Sequence, residues 1–155
     1  QYESCGKCPT CRIGTKKMMD LLAKIKAGKG KMSDINLLEE LAITVKNGSL
    51  CGLGQTAPNP VLTTLRYFRE EYVAHIRDKR CPARVCKELI WYEIDAEACI
   101  GCGKCISHCS ADAIEGEKKQ PHEIDNNRCI KCGMCFKICP TGAVQKKTNP
   151  TGGGG

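Results

Sequence analysis

Eight cysteines fall into two copies of one pattern. Cys99, Cys102, Cys105 and Cys109 are spaced C-x2-C-x2-C-x3-C, and Cys129, Cys132, Cys135 and Cys139 repeat that spacing thirty residues later, with Pro140 after the last. Cysteines three residues apart in a tight loop can turn their sulfurs toward one metal centre, and this run is the one that holds [4Fe–4S] clusters. The fourth cysteine of each copy is too far along to close on the same centre, so it crosses to the other. The expected ligand sets are Cys99, Cys102 and Cys105 with Cys139, and Cys129, Cys132 and Cys135 with Cys109. Clusters of this kind exchange single electrons, so the chemistry indicated is electron transfer.

A second group, Cys5, Cys8 and Cys11, supplies three ligands plus an unspecified fourth, which suits a cluster or a zinc ion. Lys7, Arg12, Lys16 and Lys17 crowd it, and their charge would favour the more negative, reduced form. Cys81 and Cys86 lie apart, with His75 six residues before Cys81. These three make a candidate zinc site with an unnamed fourth ligand; a buried thiol pair or a disulfide would serve the same residues. His108 and His122 have no partners at ligand spacing, although His108 adjoins Cys109.

The elements that must position these ligands come in two textures. Over residues 1–80 the pattern is helical. One stripe runs from Lys16 to Ala27 through Met18, Met19, Leu21, Leu22 and Ile25 and ends at Gly28 and Gly30. A second, with Ser33 as its expected N-cap, carries Ile35, Leu37, Leu38, Leu41, Ala42 and Val45. A third opens at Asn59-Pro60 and carries Val61, Leu62, Leu65, Phe68, Tyr72, Val73 and Ile76. Such stripes pack on one another in a small bundle. Residues 88–148 alternate instead, with a strand expected at 88–95 and short extended pieces at 113–116, 122–124 and 143–146. Each cysteine run there must sit in a loop leading into a short helix. The expected division is a cluster-bearing bundle at 1–80, a hinge with the candidate zinc site at 81–87, a two-cluster domain at 88–148, and a flexible tail or linker at 149–155. The fold class is α+β.

Composition agrees with metal staples. Aromatic residues are only 5% of the 155, while cysteines number 14, so neither half can bury a large apolar core. Cysteines clustered two residues apart suit metal in a reducing compartment better than disulfides. No apolar run approaches the length of a membrane span. The formal charge of +7 falls to about +1 once three clusters of about −2 each are counted. The basic residues therefore compensate anionic clusters, and nucleic acid is not an expected partner.

The segment Glu3-Ser4-Cys5-Gly6-Lys7-Cys8-Pro9-Thr10-Cys11-Arg12-Ile13-Gly14-Thr15 resembles the cluster motif of the NADH-binding flavoprotein subunit of respiratory complex I and its soluble relatives. Cys51, in Leu50-Cys51-Gly52-Leu53-Gly54-Gln55, stands where that family has its fourth ligand. The resemblance thus implies one [4Fe–4S] cluster on Cys5, Cys8, Cys11 and Cys51. A two-cluster ferredoxin appended to the bundle resembles one branch, the beta subunits of soluble NAD(P)-linked and electron-bifurcating [FeFe]-hydrogenases and of related formate dehydrogenases. In the ferredoxin part, Ser110 stands where the usual pattern has proline, and Ile130, Met134 and Phe136 are bulkier than their first-run counterparts.

The resemblance implies three [4Fe–4S] clusters and a place in an NAD(P)H-linked oxidoreductase complex, with no bond chemistry performed by these residues. Its FMN and NAD(P)H sites are expected in a glycine-rich domain ahead of Gln1, so that the chain is the C-terminal part of a longer subunit. Expected partners are other iron–sulfur subunits and a soluble ferredoxin. The expected location is the cytoplasm of an anaerobe. A swinging ferredoxin at the 78–87 linker would connect partners in turn. From another class, a zinc-stapled basic binding module would use the same cysteines without sulfide. A radical enzyme of the SAM type lacks its C-x3-C-x2-C loop here.

Overall fold

The computed structural model describes residues 1–149, which divide into two compact units, 1–82 and 83–149. Residues 150–155, most of the expected tail, lie outside the described residues.

The first unit is helical. Helix α1 (Pro9–Lys26) starts earlier than its apolar stripe, because Pro9 carries a helical φ into the first turn and Cys8 is extended before it. It stops at Ala27-Gly28, where Gly28 turns left-handed at φ +70°. Helix α2 (Met32–Gly48) is capped by Lys31 rather than by the expected Ser33. Asp34 decides this start, since its carboxylate accepts the Lys31 backbone N–H at 2.7 Å. Gly14 lets α1 and α2 close together: a Cβ there would lie 2.2 Å from Val45.

After the short α3 (Gly52–Thr56), the expected third helix is two, α4 (Asn59–Tyr67) and α5 (Arg69–Ile76). The break falls at Phe68, with φ −130° and ψ 30°. Glu70 and Glu71 then sit in the first turn of α5, where the helix dipole favours acidic residues. The break takes Phe68 out of the apolar stripe and leaves it 54% exposed. Leu37, also expected inside, is exposed. The core is Met18, Ile25, Ile35, Leu38, Ala42, Val45, Leu65 and Ile76.

The second unit holds two small antiparallel sheets. Strand β1 (Ile90–Ile94) pairs with β4 (Val144–Thr148), from Ile90 opposite Thr148 to Ile94 opposite Val144. Strand β2 (Ile114–Glu115) pairs with β3 (Glu123–Ile124), Ile114 opposite Ile124. The helices α6 (Lys104–Ser107) and α7 (Met134–Ile138) follow Gly103 and Gly133. The thirty-residue sequence repeat is also a repeat of backbone. Gly101 and Lys131 are both left-handed, at φ +63° and +56°, as are Gly103 and Gly133 at +75° and +80°. Tyr92, Cys105, Ile114, Ile124, Cys135 and Val144 form the core, so cysteine sulfur stands where a larger domain would place leucine.

Candidate metal centres

In the second unit the eight repeat cysteines line two separate cavities. Cys99, Cys102, Cys105 and Cys139 surround one, with Ile94, His122 and Val144. Cys109, Cys129, Cys132 and Cys135 surround the other, with Ile114, Ile124 and Met134. Each cavity draws three cysteines from one run and the fourth from the other. The α6 and α7 first turns carry the buried Cys105 and Cys135, the loops ahead of them carry Cys99, Cys102, Cys129 and Cys132, and Cys109 and Cys139 follow the helices.

The donors fit an iron–sulfur core. All eight cysteines are free thiols. Backbone N–H groups point at sulfur: Ala113 donates to Cys109 at 3.3 Å and Lys131 to Cys129 at 3.4 Å. Burial pushes the Cys135 thiol up to about 11, and burial raises Cys105 as well. Burial also acts on Cys139, but N–H groups of Val144, Thr141 and Ala143 and the Thr141 hydroxyl outweigh it and hold that thiol below its ordinary value. Where burial raises the thiol, as at Cys105 and Cys135, a cationic core would favour the thiolate, and a cluster would supply one.

In the first unit, Cys8 caps α1, Cys11 is buried in its first turn, and Cys51 caps α3. Thr10 donates to the Gly48 carbonyl at 2.8 Å, tying the start of α1 to the end of α2. A Cβ on Gly54 would lie 3.3 Å from Cys11 Cβ, so α3, with Cys51 at its head, packs on the turn that holds Cys11. Cys5 precedes a left-handed turn at Gly6, φ +79°. Ser4 Oγ lies 3.4 Å from Cys11 Sγ. These four cysteines are also free thiols.

Of the candidate zinc residues, His75 lies in the last turn of α5, and Cys86 is half-buried just ahead of β1. His75 Nδ1 donates to the Glu71 carbonyl at 2.7 Å. Cys81 is 1% exposed.

His122 has no partner at ligand spacing in the sequence, yet it is 5% exposed and its Nδ1 lies 3.3 Å from Cys105 Sγ. Its signal in the sequence is the repeat itself, since it stands thirty residues after Tyr92. His108 is exposed and its Nδ1 lies 3.0 Å from the Lys104 carbonyl.

Among the described residues no helix is long and apolar enough to cross a membrane. Residues 1–75 match the NADH-ubiquinone oxidoreductase-F iron-sulfur binding region, and residues 92–146 match a 4Fe-4S dicluster domain. The NADP-reducing hydrogenase subunit HndC of Solidesulfovibrio fructosivorans is 50% identical over 120 residues, 77% of this chain and 24% of that one. An NADH-quinone oxidoreductase subunit of Streptomyces coelicolor is 46% identical over 90 residues, 58% of this chain and 20% of that one. The beta subunit of the NADP(+)-dependent formate dehydrogenase of Moorella thermoacetica is 42% identical over 78 residues, 50% of this chain and 11% of that one. The chain thus spans a quarter or less of the length of these curated relatives.

Proposed function

The chain combines the iron–sulfur binding region of the NADH-ubiquinone oxidoreductase-F family with a 4Fe-4S dicluster domain, and from that premise we propose that it is the electron-relay module of an NAD(P)H-linked oxidoreductase complex of the hydrogenase type. The observation that carries this is the pair of four-cysteine cavities in the second unit, each supplied by both runs. When bound there, [4Fe–4S] clusters supply single-electron transfer. Cys99, Cys102, Cys105 and Cys139 hold one, and Cys129, Cys132, Cys135 and Cys109 hold another. Cys5, Cys8, Cys11 and Cys51 hold a third in the helical unit. The residues do no bond chemistry of their own: they fix position, exclude water with apolar walls and tune potential through N–H donors. Electrons pass between an FMN site outside these residues, where NAD(P)H reacts, and partner iron–sulfur subunits or a soluble ferredoxin. His75, Cys81 and Cys86 bind one zinc ion that staples the chain between residues 75 and 86. The module works in the cytoplasm, where thiols stay reduced. The Moorella relative supports a second setting, a formate dehydrogenase complex, for the same relay.

Anaerobic purification followed by metal and sulfide assay tests the proposal. About twelve iron and twelve labile sulfide per chain are expected for three four-cysteine cubanes, with about one zinc. Colourless protein holding zinc without sulfide would overturn it in favour of a zinc-stapled binding module.

A further inference from the structure

His122 and Tyr92 occupy equivalent places in the two repeats, each seven residues before the first cysteine of a run. His122 lines the cavity that takes its first three cysteines from the other run, and Tyr92 packs against Gly133 of the other run. Tyr92 is buried, its ring centroid lies 6.2 Å from that of Phe136, and a Cβ on Gly133 would lie 2.8 Å from its hydroxyl. Its hydroxyl is made harder to ionise first by burial and then by the charges of Cys135, Cys129 and Cys132. His122 lines the cavity of Cys99, Cys102, Cys105 and Cys139 instead, with Nδ1 3.3 Å from Cys105 Sγ.

The histidine is held for this contact. It follows β2 and immediately precedes β3, across the ladder from Gly116, and a Cβ at Gly116 would lie 2.3 Å from the His122 ring. Gly116, at φ +148°, therefore gives the imidazole its seat. One backbone donor, by contrast, recurs in both repeats: Ala113 N–H serves Cys109, and Ala143 N–H, thirty residues on, serves Cys139. The exchange of tyrosine for histidine is a difference in donor chemistry at one pair of equivalent positions.

We propose that His122 is a positioning residue that donates its Nδ1–H to the Cys105 thiolate and raises the reduction potential of the centre held by Cys99, Cys102, Cys105 and Cys139. A ligated thiolate can only accept, so the proton belongs to Nδ1. Reduction adds one electron to the centre and moves no proton, because the Nδ1–H stays on the ring. A hydrogen bond to a charged acceptor strengthens as that acceptor gains negative charge, so the reduced form is favoured. The inference rests on the cluster assignment proposed above.

The test is a redox titration of the whole chain, loaded with its clusters and followed by electron paramagnetic resonance, with iron and sulfide assayed in each sample. His122→Phe removes the donor and is expected to lower the reduction equilibrium constant of one centre about tenfold, about 59 mV for a one-electron couple. The other two centres should not move. His122→Asn keeps an N–H near the Nδ1 position and should stay within about twofold of the parent. The centre that shifts should be the one lost in Cys139→Ala. An unchanged potential in His122→Phe, equal shifts in both variants, a shift spread over all centres, or loss of the centre from both variants would each overturn the proposal. Absence of iron and sulfide from the parent chain would instead overturn the cluster assignment.

Discussion

Asn126 uses its side chain as a third strand against Tyr92: Nδ2 donates to the Tyr92 carbonyl at 3.0 Å, and Oδ1 accepts the Tyr92 N–H at 3.2 Å. One amide thereby satisfies both backbone groups at the centre of β1, on the edge that β4 does not cover. Asn126→Ala would leave those two groups without their partner, at a cost of about 1–3 kcal/mol. Hydrogen exchange is the measurement. Protection at the Tyr92 amide should fall by that amount, while α2 amides in the other unit keep theirs. Unchanged exchange at Tyr92 would show that water replaces the asparagine without cost.

Asp34 predicts a pH dependence. Its carboxylate meets Lys24 Nζ at 2.7 Å and the Lys31 N–H at 2.7 Å. The Lys24 contact first, then the Lys31 amide, hold its carboxyl below the ordinary value of 3.8, outweighing burial. A depressed folded value means that the stabilisation is fully present above the unfolded value and is lost as pH falls through the folded one. Asp34→Ala should weaken the α1–α2 connection by about 1 kcal/mol, the usual worth of such a cap. That penalty should be the same at pH 7 and pH 5 and shrink only in stronger acid. Hydrogen exchange in α2 at the two pH values checks this, and a penalty that halves by pH 5 would refute the assignment.

The cysteine spacing is legible in the sequence because ligation is a local demand: three thiols must leave one tight loop. The apolar stripes of α1 and α2 are legible for a similar reason, since burial follows the helical period. What escapes either competes with a stronger-looking local signal or depends on a partner distant in the chain. The cap at Lys31 follows from Asp34 reaching back, which a serine-based rule at Ser33 misses. The break at Phe68 interrupts a stripe that continues in phase through Tyr72, and the acidic pair Glu70-Glu71 is its only local sign. His122 meets Cys105 across seventeen residues through a hairpin, so spacing within either run is silent about it. Only the repeat offset to Tyr92 points there.

Gly101 and Gly103 make a paired prediction. Both are left-handed, at φ +63° and +75°. A Cβ on Gly101 would lie 2.6 Å from Lys119 and Gln120 backbone atoms, whereas one on Gly103 would meet nothing within 4 Å. Gly103→Ala should cost only the left-handed strain, about 1–2 kcal/mol. Gly101→Ala adds a clash with backbone that cannot rotate away, so about 2–5 kcal/mol in all is expected. Lys131, the counterpart of Gly101, shows that the left-handed turn itself tolerates a side chain. Urea midpoints followed by cluster absorbance should rank Gly101→Ala well below Gly103→Ala, and equal midpoints would remove the steric argument.

Crossed ligation predicts which cysteine losses overlap. Cys105 and Cys139 lie thirty-four positions apart but line one cavity, whereas Cys105 and Cys109 are four apart and line different ones. Each alanine variant alone should lose about four iron per chain, the content of one cubane. Cys105→Ala with Cys139→Ala should lose no more than either alone, because both strike the same centre. Cys105→Ala with Cys109→Ala should lose about eight, because each strikes a different one. Iron and sulfide assays of anaerobically purified variants read the difference. If the near pair overlapped and the distant pair added, each run would hold its own centre, and the crossed assignment would fall.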